Sequence, residues 1–138
     1  MPPRTTYLVK QLELAIRARM DALAGEFGVT ALQYTALSVL ARHPGLSAAQ
    51  MARRSFVSAQ AGNEMVTILE RKGLITRTPD ARNRHIRRIS LTPAGYAVLS
   101  DCDDRIDLLE ARMLDALAPA DVEGLRKSLA ACVQSLAG

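Results

Sequence analysis

The chain has no tryptophan, and aromatic residues make up only 4% of its 138 positions. A core with so few rings must be filled by Leu, Ala, Val, Ile and Met, which suits packed helices better than sheets. Cysteine is scarce as well: Cys102 and Cys132 stand far apart. Two distant thiols make no disulfide framework, so a reducing, cytoplasmic setting is expected. No stretch approaches the about 18 consecutive apolar residues of a membrane span, and the start at Met1 lacks a basic-then-apolar signal pattern. Gly-rich phosphate loops, nucleophile elbows and His-Glu-x-x-His pairs are missing. The two histidines, His43 and His85, are too far apart in sequence for a zinc motif. Asp101, Asp103, Asp104, Asp107 and Glu110 read as a solvated helix face, since no converging partners accompany them. Neither an enzyme nor a bound cofactor is expected.

What the chain does have is an uneven charge. Residues 42–92 hold ten Lys/Arg against three acids, a net of +7, although the whole chain carries only +4. A basic middle between acidic ends is the footprint of a polyanion-binding module on a neutral scaffold. Apolar residues, at 49%, suffice for a packed core.

Periodicity predicts a mainly α fold with one small β-hairpin. Leu8, Leu12, Ile16, Met20 and Leu23 recur at helical spacing over about 5–24, and Gly25 and Gly28 end the run. Thr30 with Gln33, and Ser47 with Gln50, have capping-box spacing. They open a helix with Leu32, Ala36, Leu37 and Leu40 inward, and a short helix from Ala48 to about Arg54. After a turn at Ser55-Phe56-Val57, Ser58 caps a fourth helix running to about Lys72. Its expected inner face is Ala61, Met65, Ile68 and Leu69; Gln60, Asn63, Glu64, Thr67 and Arg71 face outward. Gly73 suits a left-handed helix stop. Leu74–Thr78 and Ile86–Leu91 read as strands around a polar turn, Pro79 to His85. Thr92-Pro93 starts a long helix expected to reach about Leu117. A last helix carries Val122, Leu125, Leu129, Cys132 and Leu136, the seam of a helix that packs on another helix. A short helix, a tight turn and a two-faced helix make a helix-turn-helix, and the basic hairpin after it makes a wing. The outer helices have more apolar stripe than one small lobe can cover, so a second copy of the chain is the expected partner.

Two segments sharpen this pattern: Leu69-Glu-Arg-Lys-Gly73-Leu74-Ile75-Thr-Arg77, and Ile89-Ser-Leu91-Thr92-Pro-Ala-Gly95 after the wing. In them the chain resembles the multiple-antibiotic-resistance regulators, the MarR family, with the same element order over nearly its whole length. The resemblance implies one domain over 1–138: a winged helix-turn-helix lobe at about 30–92, and dimerisation helices at about 5–24 and 93–138. It implies a triangular homodimer, a sequence-specific regulator of double-stranded DNA acting as a repressor. Each recognition helix would enter a major groove of a palindromic operator, and a small aromatic or phenolic effector would release it. One departure is visible. The family's wing often holds an Asp-x-Arg pair, and those positions are Asn83 and His85 here.

The expected DNA-facing residues are Ser58, Gln60, Asn63, Thr67 and Arg71 on the fourth helix, with Arg53 and Arg54 before it and Arg82, Arg84 and His85 on the wing. Gln and Asn pair with adenine edges, and Arg reaches phosphate or guanine. A His at 85 gains charge only as the medium acidifies, where an Arg is charged throughout. An effector cleft between the first two helices and the long one would be lined by Leu12, Ile16, Arg17, Tyr34 and Met51. Two other readings stay open at this point: a winged-helix module that binds protein, and a cysteine-based redox regulator. Both cysteines fall within apolar stripes, where a free Cys behaves as a small buried hydrophobe.

Overall fold

The computed structural model describes residues 1–138. In chain order the elements are α1 (Thr5–Gly25), α2 (Ala31–Arg42), α3 (Ala48–Arg54), α4 (Ala59–Arg71), β1 (Ile75–Pro79), β2 (Arg87–Leu91), α5 (Pro93–Met113) and α6 (Pro119–Leu136). This is the mainly helical class with a small hairpin that the sequence predicts. There are two compact units, Met1–Arg105 and Ile106–Gly138, and α5 runs through the boundary between them.

The first unit owes its helix starts to side-chain caps. Thr30 Oγ1 accepts the Gln33 N–H at 3.1 Å, and Gln33 Oε1 accepts the Thr30 N–H at 3.1 Å. Ser47 and Gln50 repeat this reciprocal pair at 3.3 and 3.0 Å. Each pair satisfies two amides that a helix start leaves without partners. At the far end of α4, Gly73 takes φ 76°, and the Leu74 N–H reaches back to the Leu69 carbonyl at 3.0 Å. That left-handed stop turns the chain straight into β1. The core beneath these elements holds Leu37, Leu40, Met51, Val66, Leu69, Ile75 and Ile89, all fully buried. Each such side chain contributes about 1.5–3 kcal/mol relative to exposure.

Several expectations need adjusting. On α2, Leu32 is 53% exposed and Val39 is buried in its place. Gln33 is buried, and its Oε1 also accepts from Lys72 Nζ at 3.3 Å; Leu32, in the first turn of α2, shares the face of Val39 but borders an open cavity rather than the core. On α4, Ile68 stands at the margin, and Gly62 and Val66 take the inner face with Met65 and Leu69. The α3–α4 approach is close there: a Cβ on Gly62 would lie 2.5 Å from the Ala52 Cβ. The hairpin pairs Ile75 with Leu91 and Pro79 with Arg87, which moves β1 one residue past the expected span. Helix α5 stops at Met113, about four residues early. Leu117 N–H bonds to the Leu114 carbonyl in a tight turn, and Ala118 is extended (ψ 154°), as the residue before Pro119 must be.

In the second unit, Arg126 lies 3.9 Å from Glu110, and α6 buries none of its residues. Leu129, Val133 and Leu136 are exposed. Cys132 is exposed too, contrary to expectation, because its helical stripe has nothing lying over it in one chain; Cys102 is buried as expected.

Candidate nucleic-acid interface

The outward face of α4 carries Gln60, Asn63, Glu64, Thr67 and Arg71, all exposed. Ser58 is its N-cap: the Ser58 Oγ accepts the Ala61 N–H at 3.1 Å, which ties that hydroxyl to the helix start. Thr67 Oγ1 donates to the Asn63 carbonyl at 3.1 Å, which leaves its oxygen lone pairs to accept. Arg53 and Arg54 end α3 and are exposed; Arg54 Nη1 is 3.3 Å from His43 Nε2.

The wing is fastened at its base by ion pairs. Arg77 on β1 grips Glu70 at the end of α4 with two nitrogens, at 3.2 and 2.8 Å. The guanidinium holds the Glu70 carboxyl below its ordinary pKa. Asp80 lies at the hairpin turn. One of its oxygens accepts Arg88 Nε at 2.5 Å, and the other accepts the N–H groups of Arg82 and Asn83 at 3.1 and 3.0 Å. Arg88 Nη1 also donates to the Gly45 carbonyl at 2.9 Å, joining the wing to the α2–α3 connection. Arg88 first, then the two amides, lower the Asp80 pKa. Asn83 Oδ1 accepts the His85 N–H at 3.0 Å and tightens the tip. A wing lacking the Asp-x-Arg pair at 83 and 85 is thus braced through Asp80 and Arg88.

These pairings sort the basic residues. Arg77, Arg88 and Lys72, whose Nζ donates to the Gly28 carbonyl at 2.5 Å, are committed within the chain. Arg71, Arg82 and Arg84 are exposed and form no ion pair. Arg87 joins them and was missed in the sequence reading. Strand alternation from Ile89 puts it on the hairpin's inner face, where it lines a 310 Å³ hollow with Ser47, Asn63, Arg77 and His85. The period-2 pattern could have found it.

The residues expected to line an effector cleft do not come together. Met51 is fully buried in the core. Tyr34 Oη donates to Asp103 Oδ1 at 2.6 Å, and burial first, then that carboxylate, push the phenol pKa well up. Leu12 is exposed and Ile16 half-buried on α1. Only Arg17, paired with Glu13, borders a larger cavity of 680 Å³, with Leu32, Thr35, Phe56 and Val57 among its other walls. Phe56 occupies the helix-turn-helix turn at φ 62°, a left-handed conformation that bulky residues rarely adopt, and its side chain is 92% exposed.

A short helix, a tight turn, a two-faced helix and a braced basic hairpin define a winged helix-turn-helix protein. The model for the MarR family matches residues 27–84. The HTH-type transcriptional repressor Rv2887 of Mycobacterium tuberculosis is 26% identical over 123 residues, covering 89% of this chain and 88% of that protein. A crystal structure of a MarR family transcription regulator superposes with a TM-score of 0.88 at 22% identity, over 96% of this chain and 87% of that one. The Staphylococcus aureus MepR–DNA complex gives a TM-score of 0.83 at 24% identity, over 96% of both chains. Residues 27–84 thus match a MarR-family model, and over most of its length the chain is similar to a transcriptional repressor. No helix is long and apolar enough to cross a membrane.

Proposed function

We propose that the chain is a repressor that binds a two-fold symmetric site in duplex DNA as a homodimer and is released by a small aromatic or phenolic anion. One observation carries the DNA reading: the polar face of α4 and the unpaired arginines of the wing belong to a frame locked by Glu70–Arg77 and Asp80–Arg88. In this reading residues 30–92 form the DNA-binding lobe, and 5–24 with 93–138 form the dimerisation helices. Gln60 and Asn63 read base edges, while Ser58, Thr67, Arg53, Arg54 and Arg71 flank them. Arg82, Arg84 and His85 follow the backbone near the adjacent minor groove. The MepR complex with DNA supports this use of the fold. For the effector, the 680 Å³ cavity offers a cation at Arg17 and an aromatic wall at Phe56, beside the turn that sets α4. A redox role at Cys102 is not carried forward: burial, then Asp103 and Asp101, raise its thiol pKa and disfavour the reactive thiolate.

Selection from random duplex should return half-sites about 10 base pairs apart. On that site Gln60→Ala or Asn63→Ala should each cost roughly 1–3 kcal/mol, with little loss on random DNA. Equal losses on both would move these residues from base reading to structure.

The wing can be tested separately. Each phosphate contact adds about 0.9 to the slope of log K against log salt. Replacing Arg82 and Arg84 together by Ala should flatten the slope by up to about 2. An unchanged slope would remove the wing from the backbone.

A further inference from the structure

Three acids lie within the basic segment, residues 42–92: Glu64, Glu70 and Asp80. Two of them are braces, Glu70 on Arg77 and Asp80 on Arg88. The third, Glu64, takes part in no ion pair or side-chain hydrogen bond and is exposed on α4. At about 100° per residue, Glu64 lies some 20° from Arg71 and some 40° from Gln60 around the helix axis. It therefore sits inside the face that the proposed function turns toward DNA, away from the buried arc of Gly62, Met65, Val66 and Leu69.

A carboxylate there works against binding. Phosphates repel it, and no cation of its own chain forms an ion pair with it. Ionised, it can only accept hydrogen bonds. On the floor of a major groove it is repelled by the guanine acceptors O6 and N7 and by the thymine acceptor O4. Adenine sets its amino group beside the acceptor N7. Cytosine offers the N4 amino group with no acceptor of its own in that groove, so it is the base edge that suits a carboxylate. From its charge, its exposure and its place on one face with Gln60 and Arg71, we infer that Glu64 is a specificity-determining residue that accepts a hydrogen bond from a cytosine N4 amino group in each half-site. The inference rests on the DNA reading proposed above. Its contribution is discrimination more than affinity: the same charge that accepts from cytosine disfavours every sequence lacking a donor at that step.

The experiment selects duplexes from a random pool with the full chain, with Glu64→Ala and with Glu64→Gln, and then measures affinities at fixed ionic strength. Alanine is the best helix former and Gln preserves the size, so both variants should keep the fold. The parent should require cytosine at one symmetric position per half-site, by roughly 5- to 150-fold over other bases. Glu64→Ala should lose that preference at that position alone and bind random duplex more tightly than the parent. Glu64→Gln should shift the position toward adenine, whose N6 and N7 a Gln amide pairs. Base preferences unchanged in both variants would overturn the role of Glu64 and leave the DNA reading standing. A preference lost for adenine rather than cytosine would overturn the assigned base. A parent that retains no sequence over the random pool would overturn the DNA reading and this inference together.

Discussion

Without residues 119–138 the chain should run as a monomer or aggregate, and its operator affinity should fall by at least about a hundredfold. The size follows from valency: two linked lobes on one duplex gain roughly 10²–10⁴ over one. The cause lies on α6, which buries none of its side chains in the single chain and leaves Leu129, Val133 and Leu136 exposed. The N-terminal part of α1 adds Tyr7, Leu8, Val9 and Leu12, again exposed. Exposed apolar side chains grouped along a helix suit association with another chain. Sedimentation velocity and DNA titration would measure both effects. Because deletion could disturb folding, Leu129→Glu with Val133→Glu in the full chain serves as a second test and should act in the same direction. A truncated chain that stayed a soluble dimer with undiminished DNA affinity would remove α6 from the interface.

Gly95→Ala should be the most damaging single methyl in the first unit. A Cβ at Gly95 would lie 2.1 Å from the Leu74 carbonyl oxygen and 3.1 Å from its carbon. Both are backbone atoms, so no side chain can swing aside. The same junction is tied by Thr92: its N–H bonds Leu74 O at 3.0 Å, and its hydroxyl donates to Gly73 O at 2.6 Å. The methyl must therefore push the start of α5 away from the hairpin. Overpacking of this kind costs about 3 kcal/mol. Thermal unfolding should shift down by on the order of 10 °C. Gly25→Ala, where nothing lies within 4 Å, is the control. It should leave stability unchanged or raise it by up to about 1 kcal/mol. Equal effects at both sites would mean that α5 can move off the hairpin freely.

Local signals were legible in the sequence and long-range ones were not. The two capping boxes, the Gly73 stop and the alternation of Ile89 and Leu91 depend on neighbours within a few residues, and each stands where the spacing put it. Ile68 was misplaced because a 3.6-residue period leaves marginal positions undecided, and Leu32 because the period places it inward but an open cavity lies over that end of α2. What a helical position meets depends on contacts from elsewhere, such as Lys72 reaching Gln33 and Ala52 lying against Gly62. The polar face of α4 could be read from its own periodicity. The wing's bracing could not, since Asp80–Arg88 spans eight residues and needs the hairpin register, and Arg88–Gly45 needs the tertiary fold. The 680 Å³ cavity was beyond sequence reasoning for the same reason, as its walls come from α1, α2 and the Phe56 turn.

The bracing of the wing also bears on how such a protein can change over generations. Asp80 holds the amides of Arg82 and Asn83 by their backbone, and Arg88 anchors to the backbone of Gly45. The side chains of Arg82, Arg84 and His85 thus have no part in holding the hairpin together. A lineage can rewrite those three positions one at a time, trading cation for neutral or small for large, and the frame that presents them persists. Exposed loop positions on a rigid scaffold tolerate such exchange well. Asp80 and Arg88 are bound to each other by the opposite logic, because losing either one loosens the support on which every tip variant depends.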